Sequence, residues 1–497
     1  MKKIFSSILA SFLLLSGTGC SDDYLETNPT DSVSDEALFS TVAGAETALN
    51  GMLRFTYMYH GDHDRFGQKS IDIIMDMMAD DLLQTERGYG WLVSWYQYLS
   101  STDATRSELE FVWSYYYDLI DNANLIILNV DDAGDYDFNE LLAKSIKGQA
   151  YAIRAYSHYQ LVQIFAKRYE QGGGNGHLGV PLVLDDSGEP LPRSTVNEVY
   201  AQIVKDIDSA ISLLKEADYD QEWPNKSYIT LPVAQGIKAR VALTTGDWST
   251  AATMANTARQ DYDLTDDYKG GWMDYTDEEW MWGADVISEQ QTSYASLGSQ
   301  IDPFFGGYAT LGSHKLGSTE MVEYMADSDL RKQLFQPEKF FSQAVINTYF
   351  AKGKFKYVGY KFSGYGSWEN DYLFMKAGEM YLIEAEALAR LGRDADAQNV
   401  IFGLTQNRDP EAVKPTVTGE ELIRHILMER RCDLWGEGFR WLDIKRLGIP
   451  MDRRNKGHND TFWNGVDYLE PSDWRMTFLI PKQELDSNPN MVQNDTK

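Results

Sequence analysis

The chain of 497 residues is predicted to be mainly α-helical, a tetratricopeptide-like helical-repeat scaffold with long loop-rich insertions. Three observations predict this class. Apolar residues recur at three- and four-residue spacing through much of the sequence, which is the period of amphipathic helices. Two segments, 231–264 and 371–410, carry the small-residue rhythm of tight helix pairs. Between them, residues 265–370 are rich in Gly, Ser, Asp and aromatic residues and show no sustained period.

The amino terminus has the layout of a signal peptide, predicted over residues 1–19. Two lysines precede an apolar stretch, 4–15, and small residues then lead to Cys20, as in a bacterial lipobox. The apolar stretch is too short to cross a bilayer core of about 30 Å. Cys20 is therefore predicted to be acylated and to become the first residue of the mature protein. Because Gly17 stands where the strict lipobox has Leu, an ordinary secretory signal with an unmodified thiol is the alternative.

Amphipathic helices are predicted from the apolar spacing, in chain order, at residues 36–60, 69–86, 107–130 and 141–166. The last of these has Ala-rich faces that permit close approach of a second helix, so it is predicted to be one arm of a buried hairpin. The second arm begins at Ser194 or Thr195, because Glu198 completes a capping-box pattern with Thr195. A further helix is predicted from Glu420 onwards.

These elements divide the chain into five parts after the signal peptide. They are an amino-terminal helical region at 20–230, two helix pairs at 231–264 and 371–410, a loop-rich aromatic insertion at 265–370, and a carboxy-terminal region at 411–497. The two helix pairs are not tandem, so the predicted architecture is a repeat scaffold with insertions and not a regular solenoid.

The charge balance argues against a nucleic-acid-binding role. Lys and Arg total 45 against 75 Asp and Glu, giving a formal net charge of -30, and no stretch gathers the basic residues into a stripe. Binding to nucleic acid requires clustered cations that neutralise phosphates. Aromatic residues make up 13% of the chain, more than an aliphatic core requires, so some rings are expected to bind a ligand.

Several ordered motifs resemble those of the SusD-like (RagB/SusD) family of nutrient-binding lipoproteins. They are Asp23, Leu25, Pro29, Phe39, Ala48 and Gly51; Arg154-Ala155-Tyr156; Gly179-Val180-Pro181-Leu182; Arg193-Ser194-Thr195-Val196 with Val199-Tyr200; Glu429-Arg430-Arg431; Glu437-Gly438, Arg440 and Asp443; Ile480-Pro481; and Asn488-Pro489. The resemblance covers nearly the whole chain. It implies a lipid-anchored outer-membrane protein, exposed at the cell surface, that binds glycans and delivers them to a SusC-like TonB-dependent transporter.

Three motifs that suggest a cofactor or metal have better structural interpretations. The glycines of 174–179 fit a dinucleotide pattern, but a helix precedes them and no helix follows, so they are predicted to form a connecting loop. A calcium-like run at 135–146 lacks the required Gly and the final acid. His60, Asp62, His63 and Asp64 are too loosely spaced for a confident metal site and are interpreted as a polar turn. No cofactor or metal is predicted.

A charged cluster near the carboxyl terminus is predicted to be structural. Its members are Glu429, Arg430, Asp433, Glu437, Arg440 and Asp443. Each acid has an Arg within about one helical turn, which lowers a carboxyl pKa, whereas a general acid of a glycosidase needs a raised pKa. An ion-pair network that fixes the last long helices to the scaffold is therefore the favoured interpretation.

Two aromatic segments are the candidate ligand sites. A glycan site needs exposed rings beside Asp, Asn, Gln or Arg, because sugars present apolar faces together with hydroxyl groups. The candidate residues are Asp81, Arg87, Trp91 and Trp95 in the first segment, and Trp282, Tyr294, Phe304 and Tyr308 in the insertion. Trp91 and Trp95 are four residues apart, so a shared buried helix stripe is an equal alternative for them.

A glycan-binding lipoprotein without catalytic activity is the leading functional hypothesis. The alternatives are an all-helical glycoside hydrolase or lyase, which would also be acidic and rich in aromatic residues, and a protein-binding surface scaffold. New reducing ends on incubation with oligosaccharides would distinguish the enzyme, and a lack of any saccharide affinity would distinguish the scaffold.

Overall fold

A computed structural model describes residues 34–218 and 225–496, except 271, 288, 290–293, 305, 340–341, 346–354, 364–368 and 459–463. The predicted signal peptide 1–19 and the predicted lipidation site Cys20 lie outside the described residues. Within the described part of the chain, no helix is both long enough and apolar enough to cross a bilayer. The mainly helical class predicted from the sequence is confirmed.

Seventeen α-helices and six short strands are seen in the described residues. The helices are α1 Asp35–Leu38, α2 Val42–Phe55, α3 Gln68–Met78, α4 Val93–Tyr96, α5 Ser107–Asn129, α6 Glu140–Phe165, α7 Val196–Ala217, α8 Leu231–Thr245, α9 Trp248–Ala258, α10 Leu297–Ile301, α11 Thr319–Tyr324, α12 Leu330–Gln333, α13 Ala377–Arg390, α14 Asp394–Arg408, α15 Gly419–Asp433, α16 Arg440–Leu447 and α17 Lys482–Ser487. The strands are β1 Leu82–Gln84, β2 Trp280–Ala284, β3 Lys315–Gly317, β4 Tyr372–Lys376, β5 Met451–Asp452 and β6 Tyr468–Leu469.

The long helices form a continuous series of packed hairpins. Helix α5 packs on α6, α6 on α7, α7 on α8 and α8 on α9. The predicted start of α7 is correct, because the Thr195 side chain accepts a hydrogen bond from the Glu198 N–H and the Glu198 carboxylate caps Thr195 in return. The buried apolar residues of these helices belong to one core that extends from Phe39 to Ile480.

The two separated helix pairs are neighbours in space. In the first pair, α8 ends at Gly246, whose φ of +79° is the left-handed conformation that a tight helix C-cap requires. Helix α9 of this pair packs against α13 of the second pair, and α13 packs against both α14 and α15. The helical series therefore continues from α9 directly to α13 in space, and the insertion forms the connection between these two helices.

Two predicted helices are shorter than the apolar spacing indicated. The helix predicted at 36–60 is divided into α1 and α2 and ends at Phe55. The helix predicted at 69–86 ends at Met78, and Leu82–Gln84 instead forms strand β1, paired antiparallel with β3. Pairing with a strand more than 200 residues away overrides local helical spacing, because backbone partners and burial contribute more than propensity.

The insertion at 265–370 contains more regular structure than its composition indicated, although its described helices are no longer than six residues. Strand β2 pairs antiparallel with β4, and β3 pairs with β1. Helix α10 lies between these strands in the sequence and is completely buried. Two strand pairs therefore connect the insertion to the rest of the fold. The loops between its short elements can carry side chains at the surface.

The carboxy-terminal charged cluster forms ion pairs, as predicted. Arg430 Nε lies 2.8 Å from Asp443, and Asp433 is paired at 2.8 Å with Arg408 of helix α14. Burial alone would raise the pKa of Asp443, but Arg430 and Arg446 outweigh it and hold the pKa below its ordinary value. The partner of Asp433 comes from another helix and not from the same turn, which the sequence did not indicate. A lowered pKa is the wrong direction for a general acid.

Candidate ligand-binding site

Five aromatic side chains from four loops meet at the surface and are called the ring cluster below. They are His63, Tyr89, Trp91, Tyr294 and Tyr308. The Tyr308 ring centroid lies 5.3 Å from Tyr89, 5.9 Å from Trp91, 5.4 Å from Tyr294 and 5.8 Å from His63. The His63 ring is stacked on Trp91 at 5.3 Å and lies parallel to Tyr294, with an interplanar angle of 8°. Tyr308 is therefore the common contact of the other four rings.

The ring cluster has a buried centre and an accessible rim. Tyr308 is only 8% exposed, whereas Tyr294 is 42% and Tyr89 is 68% exposed. His63 and Trp91 are half-buried. Large rings exposed to this extent can stack on a flat apolar ligand surface.

Strands β1 and β3 bring two of the loops together. They run antiparallel, with Gln84 at the end of β1 opposite Lys315 at the start of β3. The loop of Tyr89 and Trp91 leaves β1 at the same end of the pair where the loop of Tyr308 enters β3, because antiparallel strands place these two ends side by side. The backbone N–H of Thr85 donates to the His314 carbonyl at 3.2 Å and extends the pairing towards the loops.

Glycines allow these loops to approach closely. Gly88 has a φ of +52°, and a Cβ at this position would lie 2.0 Å from Ser313 Oγ. Gly307, next to Tyr308, is equally restricted, since its Cβ would lie 2.5 Å from the Cα of Ser299 on helix α10. Residues with side chains at these two positions would separate the loops and displace the rings that the loops carry.

Hydrogen bonds then fix the centre of the ring cluster. A hydrogen bond of 2.5 Å joins His63 Nδ1 and the Tyr308 hydroxyl. The backbone N–H of Tyr308 donates to Ser299 Oγ at 3.3 Å, and Gln300 Nε2 donates to the His63 carbonyl at 3.1 Å. Burial raises the pKa of Tyr308 above its ordinary value, so the hydroxyl is neutral over the physiological range. Helix α10 therefore holds both central residues in place.

The carboxylate of Asp62 lies beside the centre of the ring cluster. Its Oδ1 atom accepts a hydrogen bond of 2.9 Å from the His63 backbone N–H, and its negative charge contributes to the raised pKa of Tyr308. The tyrosine hydroxyls and this carboxylate supply polar groups next to the ring faces. This combination matches the alternating apolar and hydroxyl surfaces of a sugar chain.

The structure brings together three of the predicted ligand residues, Trp91, Tyr294 and Tyr308. Arg87 is exposed and lies two residues before Tyr89 on the same loop. Phe304 is half-buried and packs on Tyr360 at 5.3 Å, away from the contacts that define the ring cluster. Two glutamines and one phenylalanine of the aromatic insertion, at positions 290, 291 and 305, lie outside the described residues.

The expectation that Trp95 and Trp282 present rings at the surface is wrong. Trp95 is 0% exposed and stacks on Phe478 at 5.3 Å. Trp282 is 1% exposed, and its Nε1–H donates to the Ser227 carbonyl at 3.1 Å. Trp95 lies in helix α4 and Trp282 in strand β2, and both rings are packed in the core. Both therefore contribute to stability, and neither has a face available to a surface ligand.

The expectation that Asp81 lies at the surface and binds a ligand there is also wrong, because Asp81 is buried. Asp81 is 3% exposed, and both its carboxylate oxygens accept hydrogen bonds from Arg431, at 2.7 and 2.8 Å. Its backbone carbonyl accepts a bond from Trp435 Nε1. A carboxylate satisfied in this way fixes helix α15 to the end of α3 and has no capacity left for a sugar hydroxyl.

His63 lies outside the two aromatic segments and is not among the predicted ligand residues, whereas Tyr89 at least lies within the first segment. The surrounding polar residues suggested a loose metal set or an exposed turn, and the described residues contain no group of His, Cys, Asp and Glu suited to a metal ion. The one feature of the sequence that could have indicated a ligand role for His63 is its aromatic ring among polar neighbours. Its importance depends on Tyr308, which lies 245 residues further along the chain.

Comparisons with known proteins agree with this architecture. A family model described as SusD-like, starch-binding and associating with the outer membrane matches residues 23–243, and a SusD family model matches residues 342–496. The chain is 25% identical to SusD-like protein P2 of Formosa agariphila, and the alignment covers 97% of each chain.

Two solved structures share the fold. A SusD-like carbohydrate-binding protein of Bacteroides vulgatus superposes with a TM-score of 0.78 at 23% identity, covering 91% of this chain and 97% of that one. Surface glycan-binding protein A of Bacteroides thetaiotaomicron, in complex with laminarihexaose, superposes with a TM-score of 0.69 at 17% identity, covering 91% and 99%.

The packed helix pairs with long insertions between them define a mainly helical repeat protein. The SusD-like model matches the amino-terminal part of the chain and the SusD family model matches the carboxy-terminal part. Together they match well over half of the chain. The chain belongs to the SusD family.

Proposed function

We propose that this protein is a cell-surface glycan-binding lipoprotein that captures oligosaccharides and passes them to a SusC-like TonB-dependent transporter in the outer membrane. The ring cluster is the observation that carries the proposal. Its rim offers the faces of Tyr89, Tyr294 and Trp91, and its centre is held rigid by the bond between His63 and Tyr308. Rigid rings lose little entropy on binding, so the contacts they gain are retained as affinity.

Membership of the SusD family and the likeness to a glycan-binding protein that holds laminarihexaose support a glycan as the ligand. Stacking on one or two rings contributes about 0.5–1.5 kcal/mol each beyond burial. With a few hydrogen bonds that compete with water, this corresponds to dissociation constants of roughly 1 mM to 10 μM. Moderate affinity suits a protein that must also release its ligand to a transporter.

The proposal includes binding without catalysis. None of the five side chains of the ring cluster is a carboxylate, whereas hydrolysis of a glycosidic bond by the usual mechanism needs two. The six charged residues that resemble a catalytic set are committed to ion pairs, as in Arg430–Asp443. The alternative, a glycoside hydrolase or lyase, predicts new reducing ends when the protein is incubated with a glycan that it binds.

The lipid anchor on Cys20 and the transporter partner complete the proposal. The first family model describes proteins that associate with the outer membrane, which supports this location. A lasting complex with a transporter would bury of the order of 2,000 Å² or more and should survive extraction in detergent. The five-part division of the chain, with helix pairs at 231–264 and 371–410, is proposed as its domain organisation.

The test is a glycan array probed with the soluble chain from Ser21, followed by calorimetric titration of the best ligand. Tyr294→Ala should weaken binding by about tenfold or more, because it removes an exposed ring of the rim. Tyr324→Ala is the matched control: Tyr324 is also a tyrosine with 42% exposure but lies outside the ring cluster.

The comparison of the two variants decides the placement of the site. We expect the thermal midpoint of the Tyr294 variant to stay close to that of the parent, since an exposed ring supports little of the core. Equal affinity of the two variants for the best array ligand would overturn the assignment of the ring cluster. Release of new reducing ends during the titration would favour the hydrolase alternative.

A further inference from the structure

A concave site lies apart from the ring cluster. It is a cavity of about 670 Å³ between helix α5, the segment 181–191 and helix α17. This volume lies in the range of cavities that hold small ligands or short peptide segments. None of the ring-cluster side chains lines it. Residues from three distant parts of the sequence therefore form a cavity large enough to bind a ligand.

The ionisable groups that line this cavity are all acidic. Helix α5 contributes Glu110, Asp118 and Asp121 from one face, and the facing segments contribute four further carboxylates, at Asp185, Asp186, Glu189 and Glu484. Among the described residues that line the cavity there is no Lys, Arg or His. Carboxylates gathered in one concavity repel one another, and a bound cation relieves that repulsion.

Two of these acids, Asp118 and Asp121, have raised pKa values. Burial raises the pKa of Asp118 above its ordinary value, and burial together with the charge of Asp118 raises the pKa of Asp121. The described residues provide no hydrogen bond or ion pair to either carboxylate. Their charge is therefore available to a ligand that enters the cavity.

The indole of Trp113 gives an independent indication of a ligand. Trp113 is 5% exposed, lines the cavity and packs against Phe165 and Tyr117. Its Nε1–H has no hydrogen-bond acceptor among the described residues, and the indole is part of the cavity wall. A nearly buried donor in this position needs an acceptor from a ligand or from water.

The walls of the cavity are fixed by backbone contacts. The Tyr117 hydroxyl donates to the Pro181 carbonyl at 3.1 Å, and Asn124 Nδ2 donates to the Asp185 carbonyl at 3.1 Å. On the other side, Asn488 Nδ2 donates to the Leu191 carbonyl at 2.9 Å. The cavity is therefore formed before any ligand binds, and a ligand need not pay to order it.

We propose that this cavity binds a peptide segment of a partner protein that carries two or more Arg or Lys side chains. The carboxylates would accept charge-assisted hydrogen bonds from the guanidinium or ammonium groups. The Trp113 Nε1–H would donate to a backbone carbonyl of the same segment. This role goes beyond glycan binding and does not depend on it.

The donor of Trp113 distinguishes a peptide from other cationic ligands. A polyamine carries positive charge but, when protonated, has no hydrogen-bond acceptor for the indole. A neutral glycan has acceptors but no charge to neutralise seven carboxylates. A basic peptide has both the cations and the carbonyl oxygens, so it matches the two features of the cavity together.

The test uses a tetra-arginine peptide amide as the probe, titrated into the soluble chain at low and at physiological ionic strength. Asp118→Asn combined with Asp121→Asn should weaken binding by roughly tenfold or more. Asp132→Asn combined with Asp137→Asn is the matched control, because these two aspartates are exposed outside the cavity and the same net charge is removed. Trp113→Phe should weaken binding about threefold to tenfold, since the N–H is lost together with part of the indole while an aromatic ring still lines the cavity.

Three results would overturn the proposal. They are an equal loss of affinity in the two double variants, which would indicate binding to the acidic surface in general; spermine binding as tightly as tetra-arginine; and unchanged affinity of the Trp113 variant. Titration of the cavity variants with the best array glycan should give the affinity of the parent. Failure of the glycan test would therefore leave the peptide result interpretable by itself.

Discussion

Trp91 and Trp95 lie four residues apart and should respond in opposite ways to the same substitution. Trp95→Ala removes a ring that is 0% exposed and stacks on Phe478 at 5.3 Å. Trp91→Ala removes a half-buried ring that contacts His63 and Tyr308 in the ring cluster. The first change should reduce stability, and the second should reduce glycan affinity.

The magnitudes follow from the burial of each ring. Truncating a fully buried Trp to Ala costs about 3–5 kcal/mol, through lost transfer free energy and the cavity that remains. At roughly 2 cal/mol/K per residue, a chain of this length has an unfolding entropy of about 1 kcal/mol/K, so the thermal midpoint should fall by about 3–5 °C for Trp95→Ala. Trp91→Ala should cost about 1–2 kcal/mol of stability, because its ring is only partly removed from water. Its glycan affinity should fall about tenfold, or 1.4 kcal/mol.

Differential scanning calorimetry and titration with the best array glycan measure both quantities on the same preparations. The Trp95 variant should bind with the affinity of the parent at a temperature where it is folded. If it instead loses affinity as strongly as the Trp91 variant while melting at the parental temperature, the assignment of one ring to the core and the other to the ligand is refuted.

Three further substitutions test the loops, a buried charge and the anchor. Gly307→Ala should displace Tyr308, because the added Cβ would lie 2.5 Å from the Ser299 backbone. Glycan binding should weaken and the free energy of unfolding should fall by about 1–3 kcal/mol. Titration and calorimetry measure the two effects, and an affinity equal to that of the parent would contradict the prediction. Burial lowers the pKa of Lys315 to about 7 from 10.5, so between these pH values the unfolded chain holds a proton that the folded chain lacks, and stability rises with pH. Lys315→Met should flatten this rise, by up to about 1.4 kcal/mol per pH unit in denaturant titrations, and an unchanged slope would contradict the assignment. Cys20→Ala should release folded protein from the membrane fraction in a strain without the transporter, whereas continued fractionation with outer membranes would exclude a lipid anchor.

The long helices were predictable because their determinants are local. Thr195 and Glu198 form the capping box that their spacing predicts, and Gly246 ends α8 in the left-handed conformation that favours glycine. Strand β1 was not predictable in the same way. Leu82–Gln84 follows an amphipathic helix without a change of composition, and its partner strand β3 lies more than 200 residues away.

The candidate site was predictable in composition and not in orientation. Aromatic residues were identified in two segments that contribute rings to the ring cluster, but their spacing does not show which side of the chain faces the core. Leu92 has a φ of +65°, which interrupts the helical stripe between Trp91 and Trp95. Trp91 therefore lies in the loop before α4, while Trp95 lies within α4 and faces the core. A non-glycine residue with positive φ is uncommon and leaves no reliable sequence signal.

Buried carboxylates were misassigned for a related reason. Asp81 resembles a ligand residue beside aromatic rings, but its partner Arg431 is 350 residues away in the sequence. A carboxylate and a guanidinium that are distant in the chain cannot be matched from composition alone, and burial of the pair makes both unavailable to a ligand.

The position of the ring cluster on loops has a consequence for ligand specificity. Its rings lie on segments held by the short β1–β3 pair and by helix α10, while the long helices pack with one another elsewhere. Substitutions at Tyr89 or Tyr294 would change the accessible ring faces without removing contacts from the helical core, since both side chains are exposed. On the proposed function, relatives at about 25% identity would share the fold while a few loop residues would set the choice of glycan.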